Sequence, residues 1–458
     1  MRKKGLLEVI IGVSLVALLA VSLPLMSGCV PEAAPPVTPP VTPPVTPPPV
    51  EPPEVIIAKI GVLAPLTGYA APWGLPGLWG DEIWAKHLNE AGGIVLPDGS
   101  RVLVELVPYD NEYIGSKALT GARKLVLEDN VCLVQMAGGH TSASAVPFLT
   151  QQKIMSFTLG PYDFTPDFPY HIAPVEVLPL TVVPPILWIA EQYPELRTFA
   201  HCCQDDEIGR ATKAAALAAA EAVGFEIVYD KLFDMEVTDF APIMSAILAT
   251  DPDIICLSGC YSSFVDLLVE QAYLQGYEGH LDTGVLDFYQ NIIDKTSVEF
   301  MEGTTWAYPD FDDPSLTPEQ NAFYYEFDSI HPGQCSGVAW EFPAGLDVWK
   351  FGVEKAGSID SMEVLRALKS SPTCPHVFGP GVWWGKAFWS QDNALMADWP
   401  VVQMHDGKGR IVGYRSMVDF WNRNKEIMVK WQEEYGMMWY QRMGVPKEVA
   451  IEEYGLYD

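Results

Sequence analysis

The side chains able to do chemistry in this chain lie on short loops and form no reactive motif. Gly138-Gly139 is followed by His140, Thr141, Ser142 and Ser144. Glycines ahead of hydroxyl residues suit a helix start. There the free backbone N–H groups, the positive end of the helix dipole and the hydroxyls would donate together to a carboxylate. The same hydroxyls would also serve as ordinary helix caps, a role compatible with binding. Trp73, Tyr162, Tyr261, Phe288 and Tyr289 fall on other loops. Aromatic rings there bring large apolar area at low entropic cost, fit for the wall of a small-molecule site or for loop packing. Glu176 and Asp287 are isolated carboxylates, as fit for solvent as for a ligand amine. No GxSxG elbow, HExxH, GxxxxGK[ST] or strand-following GxGxxG occurs, so hydrolase, metalloprotease and nucleotide chemistry lack their anchors. Nothing in the sequence fixes the separation of Glu176 and Asp287 that a glycosidase pair would need. We expect no catalytic residues and no cofactor.

The eight cysteines carry no metal signature either. Cys29 ends an apolar leader, and Cys132, Cys202, Cys203, Cys256, Cys260, Cys335 and Cys374 make no CxxC pair with a second Cys or His pair behind it. An odd number cannot all pair internally, and Cys202-Cys203 end an apolar strand. Most are expected to be small buried hydrophobes, with at most one or two disulfides.

These loops need elements to hold them. From residue 54, short β-branched or apolar runs alternate with amphipathic stretches of helical length. The pattern predicts strands over 55–63, 102–107, 131–136 and 154–158, with helices over 78–89, 116–128 and 144–152. A second series follows a proline-rich passage, with strands over 198–203, 225–229 and 254–258 and helices over 210–223, 241–250 and 264–275. Such alternation means parallel sheets covered on both faces, and two series mean two lobes. Ligands of open parallel sheets bind beyond the carboxyl ends of the strands, which is where the loops above fall. At 458 residues the chain can bury a sizeable core. Its net charge of −31 repels phosphate backbones, so nucleic acid is not an expected partner.

The N-terminal region reads differently. Arg2, Lys3 and Lys4 precede an apolar run over 9–25, the pattern of a secretory signal. Met26-Ser27-Gly28-Cys29 resembles the lipobox of bacterial lipoproteins, which implies cleavage after Gly28 and lipidation of Cys29. An uncleaved signal anchor is the alternative. Two or three acyl chains would hold the protein stably at a membrane. Residues 31–53 contain three Val-Thr-Pro-Pro units, a composition that favours an extended polyproline spacer of about 3.1 Å per residue.

A family resemblance spans about residues 56–415. Ile60-Gly61-Val62-Leu63-Ala64-Pro65-Leu66-Thr67-Gly68, Asn89-Glu90-Ala91-Gly92-Gly93-Ile94, Asp110, the Ser-rich turn at 137–147, Asp205-Asp206-Glu207-Ile208-Gly209, Asp239-Phe240-Ala241-Pro242 and the hairpin from Val401-Val402-Gln403 to Asp406-Gly407-Lys408 follow one order. That order resembles the leucine/isoleucine/valine-binding type of periplasmic binding protein, the substrate-binding subunits of ABC importers. The resemblance implies an α/β fold of two Rossmann-like lobes joined by a three-crossing hinge, closing on an amino acid or related small polar solute, an amide or small organic acid included. It implies an extracytoplasmic monomer working with a membrane permease.

By similarity, Ser142 and the Thr158-Leu159-Gly160 segment correspond to the first lobe's carboxylate site, with Thr141 a further candidate donor from its place at the helix start. Trp73 and Tyr261 match aromatic wall positions. Glu176 matches an ammonium-binding position where the family usually has Asp. A second acidic position falls on Thr283, with Asp282 and Asp287 as neighbours, which opens the ligand class beyond ordinary α-amino acids. The expected organisation is a signal over 1–28, lipidated Cys29 and linker over 29–54, lobe 1 over 55–175 and 310–393, lobe 2 over 176–309 and 394–415, and an amphipathic extension over 416–458. That extension is expected to pack across the back of one lobe or to dock a permease. The rival readings are a ligand-sensing lipoprotein that reports to a signalling receptor and a lipid-anchored hydrolase.

Overall fold

The structure is a computed structural model and describes residues 54–457. The leader, Cys29 and the proline-rich spacer therefore lie outside the described residues. The first sheet is built around Val55–Ala64, which pairs in parallel with Arg101–Asp110 on one side and Leu133–Met136 on the other. Met155–Phe157 and His171–Ile172 extend it, again in parallel. A strand covered on both faces must be apolar there, and from Ile60 to Ala64 the strand is buried, while Val55 and Ile57 at its start are exposed. The second sheet sets Thr198–Gln204, Ile254–Cys256, His280–Gly284 and Thr305–Trp306 in parallel. The antiparallel hairpin Trp399–His405 and Lys408–Arg415 closes one edge.

The chain leaves the first sheet after Ile172, enters the second at Thr198 and leaves it after Trp306. It then returns to the first lobe as helices such as Gly337–Ala356, whose Trp349 and Val353 pack with Ile60 and Val102. It crosses once more to reach Trp399. These are the three passages of a two-lobed hinge fold.

Helix Glu207–Val223 shows how the sequence sets the second lobe. Asp206 caps it by accepting from Gly209 N at 2.7 Å, and Gly224 at φ 89 ends it. Its alanines at 211, 214–216 and 218–220 are buried on every side. Alanine favours helix and admits close neighbours, so this helix has two apolar faces and needs a cover. The cover is the C-terminal helix Met417–Glu434. From it Lys430 Nζ and Trp431 Nε1 each donate to Glu221 at 2.7 Å, and Gln432 Nε2 donates to Ala211 O at 2.9 Å. Beyond it, Trp439–Met443 carries Arg442, which donates to Phe164 O of the first lobe at 2.9 Å. The extension thus touches both lobes, a correction to the expected packing across one. All seven described cysteines are free, within the expected upper limit of one or two disulfides. Five of them are buried, where the thiol packs as a small hydrophobe.

Candidate functional site

The loop Ala137-Gly138-Gly139 turns directly into helix His140–Gln151, four residues earlier than the periodicity predicts. Thr141 and Ser142 therefore sit in its first turn. Gly138 has φ 110 and Gly139 φ 74, and a Cβ on Gly139 would stand 2.5 Å from Tyr113 Oη, so only glycine fits. Thr141 Oγ1 donates to Gly138 O at 2.8 Å, and Ser144 Oγ donates to His140 O at 2.9 Å on the exposed side. Gly160 N donates to Thr158 Oγ1 at 3.2 Å. These three hydroxyls are committed within the loops. Ser142 Oγ is not: it is fully buried and has no hydrogen-bond partner. Gly138 lies against Thr158 and Gly160, which brings both predicted donor segments to one edge.

The two predicted wall aromatics meet across the lobes. Trp73 and Tyr261 have ring centroids 6.3 Å apart at 56°, and Trp73 lies 5.8 Å from Tyr113. Tyr261 Oη donates to Asp206 Oδ2 at 2.5 Å, while Asp206 Oδ1 accepts from Gly209 N and from Gln204 Nε2 at 3.1 Å. Burial, reinforced by nearby acidic groups, holds the Tyr113 and Tyr261 hydroxyls far above the usual phenol range, so both remain neutral donors. Ile208 and Ala211 pack with Trp73 and Tyr261, and Met437 of the C-terminal extension joins them. Leu159 is buried in the apolar cluster that Trp73 also packs against.

A separate group of buried residues is acidic. Glu176 is 3 % exposed and Glu341 2 % exposed. Burial raises the pKa of Glu176 well above the carboxylate range, and the charges of Glu341 and Asp287 raise it further. Burial first, then Asp287, does the same to Glu341. Asp287 is raised by burial but held by donations from Ser262 Oγ at 3.1 Å and Gly337 N at 3.3 Å. The structure so groups the predicted Glu176 and Asp287 and adds Glu341. Glu341 is the lone charge in the first ten residues of helix Gly337–Ala356, and a charge in so apolar a run was the available signal. Thr283 is buried and donates to Thr305 O at 3.4 Å. Asp282 beside it accepts from Cys256 Sγ, Ser258 Oγ and Thr305 Oγ1, and burial lifts its pKa to about 6. Among the described residues no three His, Cys, Asp or Glu side chains converge as metal ligands.

The sequence profile of a periplasmic binding protein family matches residues 58–409. A search of curated proteins finds no match. Among solved structures, a leucine-binding protein from Thermotoga maritima superposes with a TM-score of 0.63 at 15% identity, covering 79% of this chain and 99% of that one. A branched-chain amino acid transporter substrate-binding protein from Streptococcus pneumoniae, solved with isoleucine, gives 0.62 at 17%, covering 79% and 99%. An ABC transporter solute-binding protein from R. palustris, solved with 4-hydroxybenzoate, gives 0.63 at 19%, covering 79% and 96%.

Proposed function

Because the chain belongs to the periplasmic binding protein family, we propose that it is the extracytoplasmic receptor of an ABC importer, held to the membrane through Cys29, and captures a small polar solute by hinge closure. Amino acids and their relatives, amides and small organic acids included, are the starting class. The relatives solved with isoleucine and with 4-hydroxybenzoate support a ligand of that size. The observation that most supports the reading is that Trp73 and Tyr261 meet from opposite lobes, in a chain that also has a buried, unpartnered Ser142 hydroxyl at a helix start and a buried group of Glu176, Glu341 and Asp287. Donors, acceptors and an apolar wall are what a small solute needs to exchange its water for protein contacts. The solute first meets the Ser142 loop, and closure then adds Tyr261 and the acidic group, contacts available only in the shut state. None of these groups is paired as nucleophile and base, so the solute should leave unchanged.

Isothermal titration of the full chain against amino acids, amides, organic acids, amines and sugars tests this. At least one class should bind, be recovered intact, and lose affinity in both Ser142→Ala and Tyr261→Ala. Absence of binding across the panel, or unchanged affinity in both variants, would place the function elsewhere.

A further inference from the structure

The family profile ends at residue 409, so the helices from Met417 onward lie beyond the part that this chain shares with it. Helix Met417–Glu434 is seated on the second lobe through Glu221 and Ala211. Gly436, at φ 69, supplies the left-handed residue that turns the chain just after it. Met437 comes next and is half-buried. It packs against Ile208 and Ala211 of the second lobe, the apolar pair that Tyr261 and, from the first lobe, Trp73 also pack against. The extension therefore places a side chain in the seam itself.

Past the seam the chain is tied to the first lobe. Arg442 donates to Phe164 O at 2.9 Å. Buried Trp439 lines one small void with Trp389 and Ala211, and Trp389 stands edge-on to Phe164 at 5.5 Å. That void holds about 10 Å3, room for a single water at most, so the fit is close. Ser390 Oγ donates to Tyr454 O at 3.1 Å, and Tyr457 N donates to Ala387 O at 3.0 Å. The segment that carries Ala387 and Ser390 is itself held to the first sheet, where Asn393 Nδ2 donates to His171 O at 2.9 Å. Contacts made only while two lobes are together favour the shut state, whatever supplies them. A solute in the cleft is one source. Here the chain supplies a second, present without any solute. A single apolar side chain and a few hydrogen bonds make a tie that can let go while helix Met417–Glu434 stays seated.

We propose that residues 437–457, rooted on the second lobe by helix Met417–Glu434, are an interlobe strap that holds the cleft shut without solute, and that Met437 and Arg442 must release before the lobes part. Only the open fraction then admits a solute, so the strap slows both entry and exit. The strap goes beyond the solute-binding reading and does not depend on which solute binds.

The test is amide hydrogen exchange of the unliganded full chain. Wild type should protect 70–78 and 111–115, the first-lobe segments bearing Trp73 and Tyr113, and 261–265 of the second lobe. Met437→Asp/Arg442→Ala should exchange at least about 10-fold faster in all three, with 55–64 in the first sheet unchanged. Met437→Leu keeps the apolar contact and should exchange like wild type. Arg442→Ala alone, at an exposed position that does not carry the fold, should speed the same three segments by a smaller factor, and it decides the matter if the double variant loosens 55–64 as well. Three results would overturn the proposal: the seam segments unprotected in wild type, the seam segments as slow in Arg442→Ala and the double variant as in wild type, or faster exchange confined to 261–265, which would make the extension a cover for the second lobe only. Because no solute is present, the solute-binding reading stands or falls separately, in the titration above.

Discussion

Trp421→Ala is the perturbation that reads out the C-terminal extension most clearly. Trp421 is 2 % exposed on helix Met417–Glu434, with ring centroids 4.8 Å from Phe388 and 5.7 Å from Trp384. Truncating a buried tryptophan costs about 3–5 kcal/mol, from lost transfer energy and the cavity left behind. That is a large part of a net stability of about 5–15 kcal/mol. An unfolding entropy of about 2.1 cal/mol/K per residue over the folded part converts this to a fall of roughly 4–6 °C in Tm. The loss should also be local. The same helix covers the alanine-rich helix Glu207–Val223, so amide exchange there should accelerate more than in the first sheet. Differential scanning calorimetry and hydrogen exchange read the two effects. A Tm change under about 1 °C with unchanged exchange over 207–223 would show that the extension is not part of the cooperative fold, and would refute the reasoning.

Three further outcomes follow from the site. Gly139→Ala forces a Cβ to 2.5 Å from Tyr113 Oη at φ 74, and should cost about 1–3 kcal/mol in urea unfolding as well as weaken solute binding. Ser142→Ala removes a hydroxyl with no protein partner, so stability should stay within about 0.5 kcal/mol while affinity falls; a stability loss several times larger would make Ser142 structural. Glu341→Gln should flatten the pH dependence of the unliganded protein. The folded-state pKa of Glu341 is raised by burial and by Asp287, so its contribution is fully present below the unfolded value of about 4.3 and is lost as pH rises through the folded value. Urea unfolding from pH 4 to 8 should show wild type falling more steeply than the variant, and parallel curves would contradict the charge cluster.

The alternation of apolar and amphipathic segments made both sheets legible, because the buried half of a parallel strand, such as Ile60 to Ala64 of Val55–Ala64, reads as a continuous apolar run. Boundaries were less so. Helix His140–Gln151 begins in what reads as a loop, because Gly139 in the left-handed region starts it without a side-chain cap. The individual loops bearing Trp73, Ser142 and Tyr261 were legible, but their meeting depends on hinge geometry that no local pattern encodes. Glu341 was missed because a helix that packs on the first lobe carries it, far in sequence from Glu176 and Asp287. Tyr113 and Asp206 were missed as partners of Tyr261 because turn and cap roles account for such residues locally. The reach of the extension to Phe164 was hidden too, since amphipathicity reports one buried face and not which two bodies it touches.

The central claim is that a small solute is held in the cleft that Ser142 and Tyr261 flank. A thermal-shift titration of the full chain across a metabolite panel, repeated in the Ser142→Ala/Tyr261→Ala double variant, tests it most directly. A ligand at 100 times its Kd adds about 2.7 kcal/mol, so wild type should show a Tm rise of a few degrees that the double variant loses. A shift that persists undiminished in the double variant, or no shift with any solute, would contradict the account.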